Sequence, residues 1–294
     1  MSGHQRTNGH LLAFITILIW GTTFISTKIL LTDFGPIDIL FYRFILGYAV
    51  LAVIAWRPIR TASFREELLF MAAGLCGVTI YFLVENIALI YTTASNAGVI
   101  VSVAPFFTAV FAHFLLQGEA LHSRFITGFA IALTGIVLIG LNGSLVLDLN
   151  PAGDLLAFIA PVVWALYSVL MRKISGLHHS SVAATRRVFF YGLLFMLPVL
   201  FLSDFRPGLH RFADVPSLLN LLYLGLGASA LCFVTWNRAV GILGAVTTSL
   251  YIYIVPVITV AASALLLGEK LTWLTILGTL LTLFGSFISE RKTP

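Results

Sequence analysis

The chain has 294 residues, 59% of them hydrophobic and 10% charged, with a formal net charge of +5 and a mean hydropathy of +1.02. Soluble globular chains carry about 25% charged and about 45–50% apolar residues. A soluble enzyme, a disordered chain and a secreted disulfide scaffold are therefore excluded, and lipid must be the solvent.

A membrane helix needs about 20 mostly apolar residues to cross about 30 Å of hydrocarbon. Cutting the chain at charges, Gly/Pro clusters and polar clusters predicts ten spans, at 10–29, 36–56, 68–90, 95–116, 124–142, 154–172, 182–203, 215–237, 244–267 and 272–290. The first apolar stretch, His10 to Thr27, is longer than a signal-peptide core, and no small-residue cleavage site follows it, so no cleavable leader is expected. The cluster Thr92-Thr93-Ala94-Ser95-Asn96 splits spans three and four, with Ser95 or Asn96 suited to an N-cap. Gly241 and Gly244 split spans eight and nine. Apolar residues run continuously instead of alternating, which excludes a β-barrel. Cys76 and Cys232 are too few for a disulfide framework and lack metal-ligand spacing; no metal or cofactor is expected.

The basic residues are scattered one to three at a time, as topology signals are, and do not form a nucleic-acid surface. With the N-terminus inside, the inner segments hold twelve Lys and Arg and the outer ones only Lys28, Arg206, Arg211 and Lys270. Both termini are predicted to be cytoplasmic.

The two halves resemble each other. Leu11-Leu12-Ala13-Phe14-Ile15 recurs as Leu155-Leu156-Ala157-Phe158-Ile159, and at the same offset Trp20 meets Trp164, Lys28 meets Arg172 and Arg43 meets Arg187. Further on, Glu85-Asn86-Ile87-Ala88-Leu89 matches Trp236-Asn237-Arg238-Ala239-Val240, Pro105 matches Pro256, and Gly118-Glu119-Ala120-Leu121 matches Gly268-Glu269-Lys270-Leu271. The expected units are 1–146 and 147–294, five helices each, within one membrane domain. Five is odd, so the second copy enters the membrane from the opposite side. Such an inverted repeat suits alternating access.

Ten spans in two five-helix halves resemble the drug/metabolite transporter superfamily, EamA branch. So do Trp20-Gly21, the Glu85-Asn86-x-Ala88-Leu89 segment, the Pro105 helix and Gly118-Glu119, with Trp236-Asn237-Arg238-Ala239 and Gly268-Glu269-Lys270-Leu271 in the second half. The resemblance covers about residues 10–290, and YddG-type amino-acid exporters are the nearest type. It implies an all-α protein of the bacterial inner membrane with a central cavity. Spans one, three, four, six, eight and nine line that cavity, and the other four stand at the periphery. It also implies export of amino acids or other metabolites. A monomer is expected.

Glu85 sits well inside span three. An ionisable residue there usually faces a cavity and marks a substrate or ion path, so Glu85 is a candidate site for a coupling proton. The plainer alternative is a carboxylate bonded to a helix end or to Asn86. Asn86 and Asn237 either meet substrate or bond a neighbouring helix. Trp20, Tyr81, Trp164, Tyr167, Trp236, Tyr251 and Tyr253 fall on the expected cavity helices, where the polar end of each ring needs a partner. Trp20 and Trp164 lie too deep for an interfacial belt. Pro105 and Pro256 stand mid-span and are candidate hinges. Arg43 and Arg187 are expected to snorkel or to pair with an acid such as Asp38, more than to bind a substrate carboxylate.

These features point to a secondary transporter of small metabolites, with neutral, aromatic or otherwise zwitterionic amino acids first. A carrier of nucleotide sugars or toxic cations is the alternative, but phosphates call for more cavity cations than the sequence offers. An intramembrane enzyme is disfavoured, because no H-E-x-x-H site and no mid-span Asp pair is present. No G-x-x-x-x-G-K-[ST] loop is present either, so ATP is not the driving force within this chain.

Overall fold

The computed structural model describes residues 3–91, 101–117, 122–141, 151–203, 205, 209–267 and 272–290. Regular structure among these residues is helical throughout. The helices are α1 (Gly3–Leu30), α2 (Pro36–Ile54), α3 (Phe64–Tyr91), α4 (Ala104–Leu115), α5 (Ser123–Leu141), α6 (Pro151–Ser175), α7 (Ser181–Leu202), α8 (Val215–Leu243), α9 (245–267) and α10 (Trp273–Glu290). Six of them, α1, α2, α3, α6, α7 and α8, are long and apolar enough to cross a membrane, and the apolar parts of the other four are shorter. Large apolar side chains such as Val53, Phe114, Phe201 and Leu265 stand exposed on the outside, as a lipid-facing surface requires. The chain is a multi-pass membrane protein.

The helix starts follow local chemistry. Asp38 Oδ2 accepts from the Gly35 amide, with Pro36 opening α2. The Ser63, Ser180 and Asp214 side chains accept from amides in the first turns of α3, α7 and α8. Each of these oxygens satisfies a backbone N–H that has no partner inside its helix. Gly244, at φ 93°, ends α8 in a conformation that a side chain would strain. The structure extends α1 to Gly3, α3 to Phe64 and α8 to Leu243, beyond the predicted spans. The polar cluster 92–96 and the paired motifs at 118–121 and 268–271 lie outside the described residues.

The third helix of each half is interrupted in the same way. α3 carries a π-helical stretch at Leu75–Ile80 and α8 one at Tyr223–Leu231. Such stretches widen the helix locally and leave carbonyls to be bonded from outside. Each meets the second helix of the other half. Gly74 packs so closely on α7 that a Cβ would sit 2.6 Å from Val188 O, and a Cβ at Gly225 would sit 2.9 Å from Leu46 Cβ on α2.

The other contacts come in matched pairs as well. α1 packs on α8 and α9, α6 packs on α3 and α4, α2 packs on α7, and α5 packs on α10. The α5–α10 pair depends on glycine at four positions. A Cβ at Gly135 would lie 2.4 Å from Gly278 O, and one at Gly285 would lie 2.4 Å from the Ala132 amide nitrogen. Pro105 and Pro256 are mid-span, but each is the second residue of an α-helical segment that follows a turn or a 3₁₀ stretch. At that position a missing N–H removes no helical bond. Pro161 and Pro198, which the sequence did not single out, are the prolines inside α6 and α7.

Candidate functional site

The middle of the molecule is aromatic. Trp20 of α1 and Trp164 of α6 meet edge to face with centroids 5.2 Å apart. Tyr81 of α3 lies 4.9 Å from Trp164, and Trp236 of α8 lies 5.1 Å from Trp20. Phe233 touches Trp20, Phe44, Phe82, Trp164, Tyr167 and Phe189 at centroid distances of 5.1–6.0 Å.

A cavity of about 40 Å³ opens beside this cluster. Trp20, Thr23 and Phe24 line it from α1, and Arg43 from α2. Tyr81, Phe82 and Glu85 come from α3, Val101 precedes α4, Trp164 comes from α6, and Ile252 and Val255 from α9. Both halves therefore contribute walls, and an acidic and a basic side chain share a mostly apolar lining. The volume suffices for water but falls far short of the about 300 Å³ at which ligand pockets begin.

The two charges are held apart. Glu85, 8% exposed, accepts the Tyr81 hydroxyl on Oε1 at 2.9 Å. Arg43, 2% exposed, donates from Nε to Ser229 Oγ in the π-helical stretch of α8 at 3.0 Å. Its guanidinium carbon lies 4.4 Å from the Phe82 ring centroid, a cation–π contact. The ion pairs within 4.0 Å among the described residues are Arg187–Glu67 and Arg211–Asp38; Arg43 and Glu85 do not join directly. A charge inside a membrane segment is costly unless it is paired, wet or functional.

Four of the predicted residues, Trp20, Tyr81, Glu85 and Trp164, come together at this cavity. Trp236 is fully buried behind the tryptophan pair, and its Nε1 has no partner among the described residues. Asn86 turns away: its Nδ2 donates to Pro36 O at 3.0 Å and ties α3 to α2. Tyr167 donates to Asn237 Oδ1 at 2.8 Å and Asn237 Nδ2 donates to Thr185 Oγ1 at 2.9 Å, a chain linking α6, α8 and α7. Asn237 also borders a separate hollow of about 190 Å³, beside Arg238, His179 and Ser181. The Tyr251 hydroxyl and His10 Nδ1 are 2.8 Å apart and join α9 to α1. Tyr253 packs with Phe125, Ala132 and Ile136 of α5, away from the cavity.

Arg43, Phe24 and Phe82 are wall residues that the sequence reading did not choose. Asp38, the acid proposed for Arg43, pairs with Arg211 at 3.2 Å instead. The charge of Arg43 within an apolar span was the available signal for its place. For the two phenylalanines the sequence offers none, because two dozen of them are scattered through the helices.

An all-helical, multi-pass membrane protein whose two halves enclose a small charged cavity belongs to the transporter class. Residues 7–141 and again 151–290 match the EamA-like transporter family, and the chain is a member of it. An uncharacterized transporter of Archaeoglobus fulgidus is 31% identical over 98% of this chain and 99% of its own length. A probable amino-acid metabolite efflux pump of Escherichia coli is 27% identical over 97% and 95%. A probable terminal-alkyne amino-acid exporter of Streptantibioticus cattleyicolor is 26% identical over 95% and 92%. A solved crystal structure shares the fold at a TM-score of 0.75 and 20% identity, covering 96% of this chain and 97% of that one.

Proposed function

We propose that this chain is a secondary transporter that exports amino acids or closely related metabolites by alternating access, with the Arg43/Glu85 cavity as its substrate site. The observation that carries the reading is a charged, aromatic cavity built jointly by both halves and too small for a metabolite as it stands. Loading then requires the halves to part, and a carrier does this where a channel does not. The matched helix contacts support two five-helix repeats of opposite topology, and the excess of Lys and Arg in the inner segments supports cytoplasmic termini, in a bacterial inner membrane. The names of the Escherichia coli and Streptantibioticus cattleyicolor relatives support amino acids as cargo. Glu85 is the candidate carrier of a coupling proton. Trp236, Asn86, Asn237, Tyr167, Tyr251 and Tyr253 then hold the walls in place, and the helix-type changes at Pro105 and Pro256 act as hinges.

The test is uptake of labelled amino acids into proteoliposomes, with and without a pH gradient. Saturable uptake stimulated by substrate on the far side supports the reading. No uptake by folded, inserted protein overturns the amino-acid assignment.

A further inference from the structure

Three polar groups on the cavity wall have bonding capacity that the protein leaves unfilled. Arg43 spends Nε on Ser229, and its two terminal nitrogens donate to no described residue. Glu85 receives the Tyr81 hydroxyl on one oxygen, and its other oxygen accepts from none. Trp164 is 3% exposed, and its Nε1 has no partner among the described residues. Trp164 Nε1 is a buried donor without an acceptor, and the free ends of Arg43 and Glu85 face the same cavity, so the arrangement favours a ligand that supplies their complements.

The sign of the charges narrows the ligand. A simple anion at Arg43 would meet the Glu85 carboxylate, and a simple cation at Glu85 would meet the guanidinium. A molecule carrying both charges a few bonds apart meets neither penalty. The guanidinium fork is suited to a carboxylate, and the Trp20–Trp164 pair beside Tyr81 offers flat apolar faces.

We propose that Arg43 and Glu85 form a clamp for the head group of an α-amino acid. Arg43, helped by Trp164 Nε1, holds the carboxylate, Glu85 holds the ammonium, and the paired tryptophans receive an apolar or aromatic side chain. The proposal rests on the transporter reading and names the substrate's chemistry within it. It makes Arg43 a specificity residue, not a packing residue of a peripheral helix. It also makes substrate ammonium and proton alternative occupants of one carboxylate, which suits exchange of one for the other.

The experiment uses competition for uptake in proteoliposomes. For one labelled amino acid that the protein carries, the competitors are its carboxamide, which lacks the carboxylate, and its N-acetyl form, which lacks the ammonium. Wild type is expected to bind each at least about tenfold more weakly than the parent, the loss of one charged bond of about 1.5–3 kcal/mol. Arg43→Gln is expected to lose the preference over the carboxamide and to keep the preference over the N-acetyl form. Glu85→Gln is expected to do the reverse, and Arg43→Lys to restore part of the first preference. A merely structural role would weaken both preferences together. If a variant does not fold, protection of wild type against heat by the same three compounds gives the same ranking. A wild type that accepts the carboxamide as well as the parent overturns the clamp and leaves the transporter standing. A wild type that carries no amino acid overturns both.

Discussion

Trp20 and Trp164, which hold matching places in the two halves of the sequence, touch each other at the centre of the molecule, yet their indole N–H groups differ. Trp20 Nε1 donates to Ala228 O at 2.9 Å, a carbonyl in the π-helical stretch of α8. Trp164 Nε1 has no acceptor among the described residues.

That asymmetry predicts different phenotypes for the same substitution. Trp20→Phe removes a buried hydrogen bond, a cost of about 0.5–1.5 kcal/mol, so the thermal midpoint in detergent should fall. Trp164→Phe strands nothing and should stay closer to wild type in stability while raising the apparent KM for uptake. Thermal denaturation beside uptake kinetics for the two variants checks the contrast, and equal behaviour would remove Trp164 Nε1 from the site.

Glu85→Gln keeps the shape of the carboxylate and the acceptor for Tyr81 but cannot change charge. If Glu85 carries a coupling proton, this variant should transport at least about tenfold more slowly under a pH gradient, or lose its dependence on that gradient. Flux measured from pH 5.5 to 8 is the check, and an unchanged profile at every pH would dismiss Glu85 as the coupling group.

Gly135 and Gly285 lie at the α5–α10 contact, away from the cavity. Any Cβ there strikes the backbone of the facing helix, which cannot yield as a side chain can. Gly285→Val should cost about 1–3 kcal/mol or more, about 2–4 °C in Tm for each kcal/mol. The protein that survives should keep wild-type KM, because no cavity residue moves. A changed KM with unchanged Tm would mean that this pair takes part in substrate recognition.

The sequence made the ten helices legible because long apolar runs leave few alternatives in lipid. It also made Trp20, Tyr81, Glu85 and Trp164 legible, because polar groups deep in a span stand out. It did not reveal which way a side chain faces. Asn86 and Asn237 look equivalent to Glu85 as intramembrane polar residues, but Asn86 Nδ2 bonds a backbone carbonyl and Asn237 bonds two side chains on other helices, while the buried Asn86 Oδ1 has no partner among the described residues. The sequence expects Arg43 to snorkel or to pair with an acid such as Asp38; the structure buries it on the cavity wall, and Asp38 pairs with Arg211. The close approach of Gly47 to Gly225 O, 3.2 Å from an added Cβ, and the Ser229 hydroxyl in the π-helical stretch draw that part of α2 inward. A π-helical stretch depends on tertiary packing and leaves little trace in a hydrophobic pattern.

Lys28 and Arg172 also hold matching places, and each closes its own half in the same way. Lys28 Nζ donates to Leu89 O near the end of α3, and Arg172 Nη1 donates to Gly241 O near the end of α8, both at 2.7 Å. A cation near the carbonyl end of a helix opposes the negative end of the helix dipole. If the halves are inverted, the two bonds lie at opposite faces of the membrane. Lys28→Met should then loosen the outer end and Arg172→Met the inner end, each by about 1.5–3 kcal/mol. Labelling of cysteines placed at Thr23 and Ser175 by a membrane-impermeant thiol reagent, from either side, reads the outcome. Opposite shifts in the two variants are expected, and a shift to the same side in both would contradict the inverted arrangement.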